Sequence, residues 1–135
     1  MEYLEFSGLI TEANSHLSAG RLKEAEKLIY GLIIRDISDL DKASLCVKMA
    51  FIYDRLGNSE EALAWYEKGS AYEQIYSRFE ITEKKAEYLA MLGMSKDAIE
   101  IYELLMKQPF LTEEDRNRIK RAAQVLVRKQ MQAWR

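Results

Sequence analysis

The stretch DRLGNSEEALAWY, residues 54–66, decides the fold. Gly57 stands between two helix-forming runs, and glycine takes the left-handed backbone that ends a helix without a Cβ clash. Ser59-Glu60-Glu61 then sets a hydroxyl ahead of two carboxylates, which is the expected cap and acidic first turn of a second helix. Ala62 comes next in that helix and Tyr66 one turn later. The segment reads as helix, tight turn, helix.

The same register recurs on both sides. LSAGRLKEAEKLI (17–29) and AMLGMSKDAIEIY (90–102) align with it, and Gly20, Gly57 and Gly93 fall 37 and 36 residues apart. Ala25, Ala62 and Ala98 follow at the same two intervals, with Ile29, Tyr66 and Tyr102 one turn further on. Ala13, Ala50 and Ala86 precede the glycines by seven residues. Alanine facing alanine lets two helix axes approach closely, and the large residue beside them fills the remaining space. A single pair cannot bury its apolar face alone, so three pairs are expected to stack. Ser95-Lys96-Asp97 repeats the hydroxyl-then-carboxylate start of the second helix.

These residues carry a resemblance to tetratricopeptide repeats (TPR). The middle repeat is the fullest match, with Met49-Ala50, Tyr53, Gly57, Ala62, Tyr66 and Gly69. The third supplies Ala86, Gly93, Ala98, Tyr102 and Pro109, and the first supplies Ala13, Gly20, Ala25 and Ile29. The first departs from the pattern at Glu12 and His16, where apolar and aromatic residues are usual. The resemblance implies an all-α fold: a right-handed superhelical solenoid of three helix–turn–helix repeats, near residues 6–39, 43–76 and 79–112, in one domain. Its period exceeds the usual ~34 residues, which places the extra residues at Arg35–Asp41 and Ala71–Ser77. Helices are expected near 3–18, 21–35, 42–56, 59–73, 79–92, 95–108 and 112–133. The last is outside the repeats. Thr112 before Glu113-Glu114-Asp115 is its cap, and Ile119, Ala122, Ala123, Leu126 and Gln130 share the face that would close the end of the array.

Composition agrees with helices. Pro109 is the only proline and glycine occurs six times, too little punctuation for many short strands. Cys46 is the single cysteine, which excludes an intrachain disulfide and a cysteine-based zinc cluster. The opening MEYLEFSGLI carries Glu2 and Glu5 without a basic start, unlike a secretory signal, and no apolar run approaches the ~20 residues of a membrane span. A soluble cytoplasmic protein is the expectation.

No catalytic constellation is present. His16 is the only histidine and occupies the slot of Tyr53 and Leu89, so it reads as a helix-interface residue rather than a ligand or base. Cys46 reads as a small buried hydrophobe. There is no phosphate-binding glycine loop and no metal-ligand spacing, so no enzyme activity, cofactor or metal is expected.

The expected work is to hold another protein. In TPR-like arrays the first helix of each repeat lines the concave face, which the resemblance places at Ile10, Asn14 and Leu17, then Val47, Phe51 and Arg55, then Glu80, Glu83 and Glu87. Phe51 is the expected anchor, because aromatic residues dominate interface energetics. Packing between repeats is its alternative role. The glutamates can instead pair with Lys84 and Lys85 on their own helix. Some TPR proteins grip a carboxylate tail with lysines and asparagines. Asn14 and Lys84 fit such a clamp and Ile10 and Glu80 oppose it, so a carboxylate-tail receptor is not expected.

Charge is uneven. Residues 116–135 hold seven basic and no acidic side chains, while the rest of the chain carries a net −9. Arg118, Arg121, Arg128 and Arg135 gather on the side opposite Ile119 and Leu126, which reads as a solvated outer face. Its alternative is a regulatory or nucleic-acid-associated surface, against which the acidic body argues by repelling phosphate. Partners are therefore expected to be a protein or peptide, with neither nucleic acid nor membrane.

Overall fold

A computed structural model describes residues 2–133. Seven α-helices run in order: α1 Tyr3–Ser18, α2 Leu22–Ile33, α3 Asp39–Arg55, α4 Ser59–Gln74, α5 Glu80–Met91, α6 Ser95–Met106 and α7 Glu113–Ala133. No strand occurs among the described residues. The fold is all-α. The chain divides into two compact units, one ending at Tyr76 and the other beginning at Ser77.

The three glycine turns share one hydrogen-bond pattern. Gly20, Gly57 and Gly93 have φ of 77°, 77° and 82°. Arg21, Asn58 and Met94 each donate a backbone N–H to the carbonyl five residues back, on His16, Tyr53 and Leu89, at 2.8, 2.8 and 2.9 Å. The glycine N–H groups donate to Leu17, Asp54 and Ala90. This paired closure satisfies the last free carbonyls of each first helix and needs a left-handed residue at its centre. The next helix starts at once from the same turn.

The helix starts depart from expectation. Ser59 and Ser95 are not caps but first helical residues; the capping positions belong to Asn58 and Met94. Asn58 Oδ1 accepts from the Glu61 N–H at 3.2 Å, while Met94 offers no side-chain acceptor. The tight turn leaves one residue fewer between glycine and helix than a serine cap requires. At α3 the expected start near 42 moves to Asp39, because Ser38 Oγ accepts from the Asp41 N–H at 3.1 Å and donates to its carboxylate. At α4 the helix runs on to Gln74. Much of the extra length in the repeat is thus helix rather than loop. α7 does begin behind Thr112, whose Oγ1 accepts from the Asp115 N–H at 3.0 Å.

Packing follows the small-residue register. Ala13, Ala25, Ala50, Ala62, Ala86 and Ala98 are all completely buried. In the N-terminal unit α1 packs on α2, α2 on α3 and α3 on α4. Ile29, Leu32, Leu45, Met49 and Ile52 fill the space around those crossings, with Cys46 among them. Burial pushes the Cys46 thiol up to about 11, more than the nearby Lys68 lowers it, so the sulfur stays protonated and inert. In the C-terminal unit α5 packs on α6 and α6 on α7. Leu89, Ile99, Tyr102, Leu105, Ile119 and Leu126 are the buried apolar side chains along these contacts.

Candidate functional site

The face expected to hold a partner is best formed in the N-terminal unit, on α1 and α3. Ile10, Leu17 and Val47 are half-buried, and Asn14, Phe51 and Arg55 are exposed. Two contacts order it. Lys48 Nζ donates to Asn14 Oδ1 at 2.9 Å, tying α3 to α1. The Arg55 guanidinium lies 5.0 Å from the centre of the Phe51 ring. An exposed cation–π contact of this kind contributes about 0.5–1 kcal/mol. Phe51 is 41% exposed. Beside it α1 carries an open hollow of about 540 Å³ lined by Thr11, Asn14, Ser15, Ser18 and Ala19. Behind the face, Tyr53 Oη donates to Glu26 Oε1 at 2.6 Å and locks α3 on α2. That bond, with burial and the charges of Glu26 and Glu61, pushes the Tyr53 hydroxyl up to about 12.

The acidic residues of α5 are a different environment. Glu80 and Glu87 are exposed and Glu83 is half-buried. Glu83 is engaged by α7: Arg118 Nε and Nη2 donate to its two carboxylate oxygens at 2.8 and 2.9 Å. Arg118 Nη1 also donates to Asp115 Oδ1 at 2.8 Å. The paired carboxylates raise the Arg118 pKa further, Glu83 contributing most, and Thr112 and Arg118 together lower that of Asp115. Burial, then Glu87 and Glu83, pushes the Tyr102 hydroxyl up to about 12.

Two expectations are corrected by this geometry. Glu83 takes an arginine from another helix in a two-pronged contact, which a neighbouring lysine on its own helix cannot make. Arg118 is accordingly not a free member of a solvated basic face. Arg116 is engaged as well, donating to the carbonyls of Met106 and, at 3.2 Å, Gln108. Its charge lies where the negative end of the α6 dipole favours it. Arg121 and Arg128 remain exposed, and Arg135 lies outside the described residues.

His16 is half-buried, accepting at Nδ1 from Arg21 Nε at 2.9 Å. It lines a cleft of about 360 Å³ between α1 and α2, with Leu9, Leu28, Leu32 and Arg35 among the walls. Sequence reasoning missed this cleft; its one signal is Gly31, whose missing side chain leaves the α2 surface open. Among the described residues no group of three or more His, Cys, Asp or Glu side chains could hold a metal ion, and no helix is long and apolar enough to cross a membrane.

The architecture is that of an all-helical protein built from helix–turn–helix pairs. It is similar to the solved structure of the type III secretion translocator chaperone SycD from Yersinia enterocolitica, with a TM-score of 0.66 over 97% of this chain and 89% of that one. Sequence identity between the two is 17%, so the likeness is one of fold. No protein-family model and no curated protein sequence matches the chain.

Proposed function

We propose that this protein is a TPR-like interaction module, an adaptor or small chaperone, that holds a peptide or helix of a partner protein against the α1–α3 face. The observation that carries this reading is Phe51. On a helix that buries Leu45, Met49 and Ile52, this ring is kept at the surface under a guanidinium. An exposed aromatic beside half-buried Ile10, Leu17 and Val47 offers an apolar floor, while Asn14, Lys48 and Arg55 offer hydrogen bonds around it. The fold likeness to a protein described as a translocator chaperone is in keeping with such work.

The test is capture of a binding partner followed by titration of that identified partner against Phe51→Ala. Truncating an interface aromatic of this kind is expected to weaken binding about tenfold or more, with unchanged far-UV circular dichroism. Undiminished affinity would place the partner elsewhere. Glu80→Lys with Glu87→Lys probes the acidic face of α5 and spares the Glu83–Arg118 pair.

A further inference from the structure

The start of α1 and the connection from α2 to α3 flank a notch that the α1–α3 face does not involve. It has a volume of about 420 Å³ and is lined by Tyr3, Phe6, Asp36, Ile37, Ser38 and Asp41, all within the N-terminal unit. Asn14 lies further along α1, roughly 16 Å from Tyr3 at a rise of ~1.5 Å per residue. The connection is tightly wound. The Ile37 N–H donates to the Arg35 carbonyl at 3.0 Å, which closes a three-residue turn with Asp36 at its tip. Asp39 and Asp41 belong to the first turn of α3, where the helix dipole favours carboxylates. Asp36 precedes both that helix and its Ser38 cap, so the dipole does not account for it.

Two features of the notch are not explained by the fold. Tyr3 is 79% exposed, so its ring contributes little burial. Asp36 is exposed as well, and among the described residues its carboxylate takes part in no ion pair or side-chain hydrogen bond. Charge at this end of the unit is one-sided. The two bases nearest in sequence are turned elsewhere: Arg35 Nη1 donates to Glu5 Oε1 at 3.2 Å, and Lys42 Nζ lies 5.9 Å from the centre of the Tyr72 ring on α4. Glu2, Asp36, Asp39 and Asp41 are in no ion pair among the described residues. Between the carboxylates the walls are apolar, with Phe6 and Ile37 half-buried. An exposed aromatic ring beside uncompensated carboxylates suits a cation carried on an apolar stem.

We propose that this notch is a docking site for an arginine-bearing segment of a partner polypeptide. The guanidinium would be met by Asp36 and Asp41 and covered by the Tyr3 ring. Arginine fits better than lysine, because its planar fork pairs with carboxylate oxygens and lies flat on an aromatic face, whereas an ammonium is a strongly hydrated point charge. Charge selects a basic segment over an acidic one or a phosphate backbone, both of which these carboxylates would repel. The aromatic walls select a side chain over a bare metal ion, which has no use for them.

The probe is a short fluorescein-labelled peptide with two arginines set among leucine and glycine, its anisotropy titrated with the full chain at low salt. Binding is expected to weaken about tenfold in Asp36→Asn and about fivefold in Tyr3→Ala. Both positions are exposed, so circular dichroism should be unchanged. Affinity should also fall as salt is raised. A peptide with citrulline in place of arginine, which keeps the shape and loses the charge, should not bind. Phe51→Ala should leave affinity unaffected, which separates this notch from the α1–α3 face. The proposal is overturned if the citrulline peptide or a lysine peptide binds as tightly, or if Asp36→Asn keeps full affinity. It is equally overturned if the parent chain does not bind the arginine peptide. Oligomers of the chain alone that Asp36→Asn disperses, seen by sedimentation, would then assign the notch to the basic α7 of a second copy.

Discussion

Phe51 on α3 and Glu87 on α5 hold the same position in the repeat register, as do Val47 and Glu83, yet the two helices use those positions differently. On α3 the charged neighbour, Arg55, comes from the same helix and lies over the ring, leaving the face open. On α5 the charged neighbour, Arg118, comes from another helix and grips both oxygens of the Glu83 carboxylate. A single register position can therefore carry a half-buried apolar side chain, Val47, in one repeat and a carboxylate gripped by another helix, Glu83, in the next. The difference arises from α7, which lies in the same unit as α5 and answers its charge.

The strongest way to break the comparison is to loosen α7. Ile119 is completely buried, and Ile119→Ala is expected to cost about 2–5 kcal/mol through lost burial and the cavity left behind. A thermal melt should show it. The Glu83–Arg118 contact would weaken with it, because the helix that aims Arg118 is no longer held. The corresponding insult to the N-terminal unit is Ala62→Leu. It drives a larger side chain into the α3–α4 crossing, and overpacking typically costs about 1–3 kcal/mol. A melt like that of the parent would show that the crossing has room that its complete burial denies.

Smaller changes sharpen the contrast. Arg118→Gln should lower stability by about 0.5–1 kcal/mol, the upper range for an exposed pair, because its geometry is two-pronged and its carboxylate partly buried. Arg128→Gln, on the same helix, should stay within about 0.5 kcal/mol of the parent. Equal effects would mean that the Glu83 contact contributes nothing. The smallest effect is on pH. The carboxyl of Asp115 is held below its ordinary value of 3.8 by Thr112 and Arg118. A group whose folded pKa is depressed adds stability that is present above its unfolded value and is lost as pH falls through the folded one. Asp115→Asn should therefore lower stability by a small amount at neutral pH and flatten the acid limb, so that the variant and parent curves converge as pH falls below that value.

The helix pairs were legible from Gly57 outward. Glycine at φ near 80° and alanine at a helix crossing are each demanded by local sterics, so the residues that satisfy them stand out along the chain. The buried face of α7 was legible for the same reason, since Ile119, Ala122, Ala123, Leu126 and Gln130 recur with helical spacing. The caps were not. Whether Ser59 or Asn58 closes the start of α4 depends on how tightly the turn before it is wound, and both residues are good caps by composition.

Tertiary structure alone decided which charges are spoken for. Helical spacing makes Lys84 and Lys85 plausible partners for Glu83, and makes Arg118 look like one of four equivalent arginines. Coulombic partners are chosen by distance in space, and Arg118 lies 35 residues from Glu83 along the chain. The order of helices is written in short-range pattern. The engagement of Arg116 and Arg118, the freedom of Arg128, and the surface on which Phe51 stands open exist only once α7 lies against α6 and α3 lies between α2 and α4.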